Sequence, residues 1–577
     1  MRMPAIGRAE GRGRMALALL LPLLAAACGD QPQADAVEIR TPGVRLPSAP
    51  PADPYGGVAR RVAPPSGHFS VKQVGTRWLF VTPEGNGMWL LGVFSVIYSS
   101  SVDDLGTSGQ SRVAARYGGE PAWQDRWRQF TVKRLKAWGF NALAEYHHWT
   151  LRAGPQRGAN PERIPFIHII KPAYYGLTNS GRFGTGPFKD LIVGTDERYY
   201  TGYRGSHAPD FFDPAFEAYV DGWMRKDDGL AGQIGNPWML GISMDDADNL
   251  FGFGPGAEMP AARLHPHLGW IVLVTNFEQA GSPMVATYSD TRVYSKYALR
   301  DFLASKYGTV EALNQAWGSR YTSLDSDGGW GRGTGLLDEN GRNPWVGNER
   351  DDLAGVRSQL RADLDQYLYL YARRYFSVMA GKMRQYAPQH LVFGPASLNQ
   401  WGGLTRKEVL RAAGESVDVV QCAVATSEAL DRTARYVGNK PLVIWTTFIA
   451  NPDSALWRYP VPVESPQIPP LARTQQERGR MYAAHVEFAF NATGSQGVHP
   501  VAGIKFWSWG DNWADKVNFG LVTFSENAYD GREAMVARAT DPWGFPTGGE
   551  ERNYGDFLSA VVGANLAVQQ RLAAVTR

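Results

Sequence analysis

The segment Pro237-Trp-Met-Leu-Gly-Ile-Ser-Met-Asp245-Asp246-Ala247-Asp248-Asn249 constrains the fold more than any other stretch of the chain. An unbroken run of apolar and small residues gives way abruptly to three carboxylates. A strand with one wet face would alternate. A continuous run has both faces buried, as in a parallel sheet covered by helices. Polar groups where such a strand emerges belong to the C-terminal rim of a barrel. Carboxylates crowded there raise one another's pKa, which is how sugar-cleaving sites obtain an acid and a base. A solvated acidic loop is the plainer alternative, and the rest of the chain weighs against it.

Seven further apolar runs with polar ends lie near 89–95, 140–146, 165–171, 391–397, 417–425, 442–447 and 504–509. Amphipathic segments of helical period stand between them, as at 123–138, 216–225, 364–386 and 475–490. Eight strands separated by helices imply right-handed βα units that close into an α/β fold, the (β/α)8 TIM barrel. An open doubly wound sheet fits less well, because no Gly-rich phosphate loop follows the first strand. Phe69-Ser-Val-Lys and Arg77-Trp-Leu-Phe-Val-Thr-Pro-Glu-Gly read as a short β element before the barrel. A long insertion, about 251–348, follows the fourth strand, with helical pieces at 294–307 and from Val310. Its Gly- and Asp-rich remainder reads as a loop over the C-terminal rim, where long loops shape clefts.

The N-terminus is a targeting segment. Arg2, Arg8, Arg12 and Arg14 precede an apolar run, 15–27, too short to span a bilayer. The run ends Leu24-Ala-Ala-Ala-Cys28, which is similar to a bacterial lipoprotein signal with Cys28 as the lipid-bearing residue. Its Leu stands one place further from the Cys than in the commonest pattern, and ordinary secretory cleavage is the alternative. Residues 29–66, rich in Pro and Ala, read as a tether, which leaves 67–577 for the barrel and its insertion. The expected location is the bacterial cell envelope, lipid-anchored, periplasmic or on the outer surface. Cys422 is then left without a disulfide partner. A net charge of +3 without a basic run argues against a nucleic-acid partner. The 19 tryptophans lean toward a carbohydrate partner, since sugars stack on exposed aromatic rings.

Rim candidates gather at the strand ends. After the second strand stand Glu145-Tyr146-His147-His148-Trp149, where Tyr146 or His147 could move a proton and Glu145 and His148 could bind sugar hydroxyls. His207 and Asp210 precede the fourth strand. After the fifth come Asn399, Gln400 and Trp401, suited to hydroxyl recognition. After the eighth come Trp507, Trp509, Asp511 and Trp513, with the tryptophans as sugar platforms. Asp246 is the expected acid, with Asp248 or Asp511 as its partner and Glu428 as a third possibility. Asp245, Asp246 and Asp248 do not have EF-hand spacing, so neither a metal nor a cofactor is expected. Gly-x-Ser-x-Gly and His-Glu-x-x-His patterns are both absent.

In their order, several stretches resemble the β-agarases of glycoside hydrolase family 50 and, more distantly, the family 42 β-galactosidases. They are Trp78-Leu-Phe-Val-Thr-Pro-Glu-Gly with Leu91-Gly-Val, Gly139-Phe-Asn-Ala-Leu, and Pro209-Asp-Phe-Phe-Asp-Pro-Ala-Phe. Further on come Phe302-Leu-Ala-Ser-Lys-Tyr-Gly-Thr-Val-Glu-Ala-Leu-Asn-Gln-Ala-Trp-Gly, Thr474-Gln-Gln-Glu-Arg, Phe506-Trp-Ser-Trp-Gly-Asp-Asn-Trp and Asn518-Phe-Gly-Leu-Val. The resemblance implies an eight-stranded catalytic barrel. It also implies an acid/base Glu after an Asn at the end of the fourth strand and a nucleophile Glu at the end of the seventh. The matching positions hold Asp246-Ala247 and Trp445-Thr446-Thr447, so both glutamates are missing. The expectation is a polysaccharide-degrading enzyme of glycoside-hydrolase type with an altered catalytic pair. The alternatives are a polysaccharide lyase, with Tyr146 or His147 as base and Asn399 as neutralising group, and a non-catalytic glycan-binding lipoprotein.

Overall fold

The apolar run before Asp245 is the fourth of eight parallel strands. These are β1 (Leu90–Val93), β2 (Ala142–Leu143), β3 (Phe166–Ile170), β4 (Met239–Met244), β5 (Leu391–Phe393), β6 (Val420–Cys422), β7 (Leu442–Trp445) and β8 (Val501–Phe506). Their order in the sheet is 5-4-3-2-1-8-7-6. The two ends meet: Phe393 bridges Val419, and the Gly394 amide donates to the Val419 carbonyl at 2.9 Å. The (β/α)8 barrel is therefore nearly closed. Every residue of β4 is buried, as a strand covered on both faces requires. Gly241 within it is obligatory, since a Cβ there would lie 2.2 Å from the Leu391 carbonyl oxygen.

This computed structural model describes residues 48–575 except 59, 99–107, 155–159, 179–185, 190–208, 246–292, 330–332, 339–357, 397–406, 425, 446–448, 450–471, 473, 512–518, 525 and 527–553. The helices that matter below are α1 (Trp123–Ala137), α2 (Pro214–Lys226), α3 (Tyr294–Tyr307), α4 (Val310–Trp317), α5 (Ser358–Tyr386), α6 (Lys407–Ser416), α7 (Ser427–Tyr436), α8 (Gln475–Asn491) and α9 (Gly555–Val575). Local chemistry fixes their starts. Asp213 caps α2 ahead of Pro214, and the Thr474 side chain accepts from the Glu477 amide in a Thr-x-x-Glu box before α8.

The barrel interior is layered. At the bottom, Leu90, Ala142, Ile167, Leu240, Phe393, Val419, Val443 and Ala502 form one cluster with Phe69, Phe80 and Met88 of the N-terminal β element. That element is an antiparallel sheet of residues 70–74, 77–81 and 87–88, and it seals the lower end. Phe80 stacks on Phe393 with centroids 5.9 Å apart, a burial worth about 1.5–3 kcal/mol. Residues 48–66, composed like a tether, also lie on this body. Asp53 accepts a bond from Asn86 at 2.8 Å, Tyr55 packs 4.4 Å from Trp238, and Val58 is buried. The eighth strand spans Val501–Phe506 where its sequence suggested 504–509, so Trp507 and Trp509 lie beyond its ladder.

Candidate functional site

Above the apolar floor the barrel carries a polar layer. Lys505 on β8 and Glu145, just past β2, are fully buried and paired at 2.8 Å. The Lys505 ammonium also donates to Gln421 Oε1 on β6. The Gln421 amide in turn donates to Ser243 Oγ on β4 at 2.8 Å and to the Gly394 carbonyl at 2.7 Å. This chain of bonds crosses the interior from β2 to β4. Two charges this far from water persist only when paired and hydrogen-bonded.

Aromatic rings lie over the polar layer at the C-terminal mouth. Phe94 follows β1, Tyr146 follows β2, Trp445 ends β7 and Trp507 follows β8. Phe94 is the hub, with centroids 5.1 Å from Tyr146, 4.7 Å from Trp445 and 6.4 Å from Trp507. Lys505 Nζ lies 4.9 Å below the Trp445 ring centre, and Lys171 Nζ stands 4.2 Å from that of Tyr146. Phe94 and Trp445 are buried; Tyr146 and Trp507 are half-buried.

Backbone strain gathers at the same level. Among the described residues, Ser95, Tyr146 and Asp245 hold φ of 52°, 61° and 42° within three residues of the ends of β1, β2 and β4. Each such residue costs on the order of 1–3 kcal/mol and persists where surrounding structure enforces it, commonly at functional sites. At Asp245, the Tyr375 hydroxyl donates to Oδ2 at 2.8 Å and the amide donates to the Ile170 carbonyl at 2.7 Å.

No family model matches the chain. It is 23% identical over 504 residues to β-agarase B of Vibrio sp. (strain JT0107), a match covering 80% of this chain and 47% of that protein. To β-agarase A of the same organism it is 25% identical over 301 residues, 52% of this chain and 24% of that one. Among solved structures, PfGH50B superposes with a TM-score of 0.63 at 18% identity, covering 91% of this chain and 70% of that chain. The agarase AgWH50C superposes at 0.61 and 17% identity, covering 91% and 68%. An exo-β-agarase superposes at 0.60 and 18% identity, covering 90% and 68%. In fold, this barrel is similar to those of solved agarases. The chain spans about half the length of β-agarase B and about a quarter of that of β-agarase A.

Within the agarase-like barrel, several residues expected at the site are committed elsewhere. His147 was a candidate base, but it is buried. Its Nδ1–H donates to the Ala144 carbonyl at 2.7 Å, and its Nε2 accepts from Arg152 Nε at 3.0 Å. Burial and the Arg152 charge hold its pKa well below the ordinary histidine value, so it is neutral with both nitrogens used. Trp509 was an expected platform, but it is wholly buried, stacked on Trp138 at 5.7 Å and donating to Glu526 Oε1 at 2.9 Å. Glu526 also accepts from the Trp127 indole at 2.6 Å, and burial pushes its pKa up. Asp511 receives the Gly520 amide at 2.9 Å and the Tyr554 hydroxyl at 2.7 Å, which ties the segment after β8 to the start of α9. Glu145 serves Lys505 below the aromatic layer rather than a sugar hydroxyl above it. Glu428 is exposed in the first turn of α7, paired with Arg432. Asp210 accepts from the Tyr294 and Ser295 amides at 2.7 and 2.8 Å and so caps α3.

Tyr146, Trp507 and His148 remain at the mouth. His148 Nδ1 is 2.7 Å from Thr150 Oγ1, its Nε2 is 3.3 Å from the Tyr98 hydroxyl, and burial lowers its pKa. Cys28, His207, Asp246, Asp248, Asn399, Gln400, Trp401 and Trp513 lie outside the described residues. Lys505 escaped the sequence reading because one lysine between Ile504 and Phe506 reads as an outward charge. The available signal was the cost of burying it without a carboxylate partner.

Proposed function

We propose that this agarase-like barrel is a polysaccharide-active protein of glycoside-hydrolase type that takes an agar-type galactan at its C-terminal mouth and cleaves it with an altered pair of carboxylates. The observation that carries this reading is the half-buried Tyr146 and Trp507 at the ends of β2 and β8, in a barrel like those of agarases. Aromatic faces of this kind stack on the C–H faces of sugar rings. Asp246 is assigned as the acid that protonates the leaving oxygen and Asp248 as its partner, because the described carboxylates around the mouth are engaged. An inverting pair about 6.5–9.5 Å apart would leave room for the attacking water. Cys28 is assigned the lipid that holds the protein at the cell envelope.

One observation favours a second reading. Trp445, buried and packed on Phe94, ends β7 where the family resemblance calls for the nucleophile. A barrel that keeps the sugar-binding mouth and has lost its chemistry would be a glycan-binding lipoprotein. Incubating the full-length chain, in detergent, with neutral and uronate polysaccharides separates the readings. New reducing ends without the ultraviolet absorbance of unsaturated uronates are the expected result. Reducing ends with that absorbance would mean elimination by a lyase. Binding without any reducing ends would mean the glycan-binding protein, and neither binding nor cleavage would refute the carbohydrate assignment.

A further inference from the structure

The lower face of the barrel, opposite the mouth, carries an excess of positive charge. Arg61, Lys72 and Arg163 are exposed there and form no ion pair among the described residues. The Lys72 ammonium donates to the Val62 carbonyl at 2.7 Å and Arg61 bridges Asn86, so both stand on the N-terminal β element that seals this end. Arg163 precedes β3, its guanidinium 5.9 Å from the Trp238 ring against which Tyr55 packs. Glu84 is the exposed carboxylate beside them, while Asp53 is half-buried and bound to Thr82 and Asn86. Other cations of this face are already neutralised. Lys136 lies 3.5 Å from Glu162, Arg384 3.0 Å from Asp418 and Arg571 2.7 Å from Glu487.

The chain also joins the folded body on this side. The Ser48 carbonyl accepts from Gln570 at 2.6 Å, near the end of α9, and the neighbouring Gln569 donates to the Gly139 carbonyl just ahead of β2 at 2.8 Å. The other end of α9 begins beside Tyr554, which is bound to Asp511 after β8. This 21-residue helix therefore runs from the mouth to the lower face, a span of about 30 Å. Twenty residues lead from Cys28 to Ser48, a reach of about 25 Å as a coil and at most about 70 Å extended. A lipid on Cys28 would thus bring a bilayer to the lower face rather than to the mouth.

We infer that Arg61, Lys72 and Arg163 dock the lower face onto an anionic lipid surface, so that the mouth opens away from the membrane. The inference rests on the assignment of a lipid to Cys28. A tether alone lets the barrel swivel; each Lys or Arg near an anionic bilayer favours the docked orientation about fivefold. Ile234, 44% exposed in the turn leading into β4, adds an apolar side chain on the same side. A neutral galactan offers these cations no counter-charge, which leaves anionic headgroups as the partner that the charge fits.

The test expresses the full-length chain, purifies the protein from membranes, and reads the lipid on Cys28 by mass spectrometry. A fluorophore is placed at Gln73→Cys on the lower face or at Ile97→Cys just past β1 at the mouth; Cys422 is buried and stays unlabelled. Each protein is joined to vesicles that hold an acceptor lipid, made of phosphatidylcholine alone or with phosphatidylglycerol. On the anionic vesicles, energy transfer from position 73 should exceed that from position 97, and the excess should fade as salt is raised. Combining Arg61→Gln, Lys72→Gln and Arg163→Gln should lower the docked-to-undocked ratio on the order of a hundredfold and make the two positions equal. Equal transfer without these replacements, or an excess that survives them, would overturn the docking while leaving the anchor standing. A Cys28 that bears no lipid would remove both. Should the triple replacement melt early, salt decides: an excess unchanged at high salt would equally overturn the inference.

Discussion

Replacing Lys505 by Met tests whether the polar layer is as dry as its geometry indicates. The ammonium and the Glu145 carboxylate are both fully buried and lie 2.8 Å apart. Removing one member of such a pair strands a charge, which costs about 3–5 kcal/mol. Gln421 Oε1 loses its donor in the same change, at about 1–3 kcal/mol for an orphaned buried acceptor. Met matches the Lys stem in length, so the void contributes little. Lys505→Met should therefore lower stability by several kcal/mol. Pairing it with Glu145→Leu should recover the first contribution and leave the second, since apolar replacement of a buried pair is often neutral. The assay is a double-mutant cycle by chemical denaturation, read alongside thermal unfolding. The expected coupling between the two positions is about 3 kcal/mol or more. Additive losses, or a Lys505→Met protein as stable as wild type, would refute the picture of a desolvated pair beneath the aromatic layer.

Acid should weaken the fold through His485, whose Nε2–H donates to the Trp445 carbonyl at 3.1 Å and whose pKa burial lowers to about 4. The unfolded side chain binds its proton near pH 6.5, so stability is lost as pH falls from about 6.5 toward 4. The loss from this group between pH 7 and 5 should be about 2 kcal/mol, and His485→Gln should flatten denaturation midpoints over that window. The two tryptophans after β8 should part company. Trp509→Ala should destabilise by about 3–5 kcal/mol and take from Glu526 one of its two indole donors, whereas Trp507→Ala should keep the fold and weaken galactan binding, both read by melting and titration.

The strand frame was legible because parallel strands buried on both faces leave long apolar runs, and all eight runs hold barrel strands. Their ends were less so. The run at 140–146 holds only a two-residue ladder, Ala142–Leu143, because a strained turn at Tyr146 is not written in hydrophobicity. Side-chain roles at the mouth were the least legible, since they depend on partners distant in the chain. Lys505 and Glu145 meet across 360 positions, and Trp127 lies 399 positions from the Glu526 it binds. Trp507 and Trp509 look alike in sequence, yet one is half-buried and the other is a buried donor. Arg152, which occupies His147, is only five residues away, but nothing local shows that it turns back.

The balance of carboxylates decides where chemistry can reside. Cleaving a glycosidic bond with two carboxyl groups needs both turned toward the sugar. Around this mouth, Glu145 is bound to Lys505, Asp245 to Tyr375, Asp511 to Gly520 and Tyr554, and Glu526 to two indoles. None of these can turn to a substrate without breaking a buried bond, at roughly 1–3 kcal/mol or more. Asp246 and Asp248 follow the end of β4 and are the pair assigned to the reaction. Asp246→Asn and Asp248→Asn should each abolish release of reducing ends while oligosaccharide binding and melting stay near wild type. Asp511→Asn should lower the melting temperature, because Tyr554 and Gly520 lose a charged acceptor, yet cleave at nearly the wild-type rate per folded molecule. An Asp511→Asn protein that melts and binds normally but does not cleave would place the partner carboxylate after β8 and would overturn the assignment of Asp248.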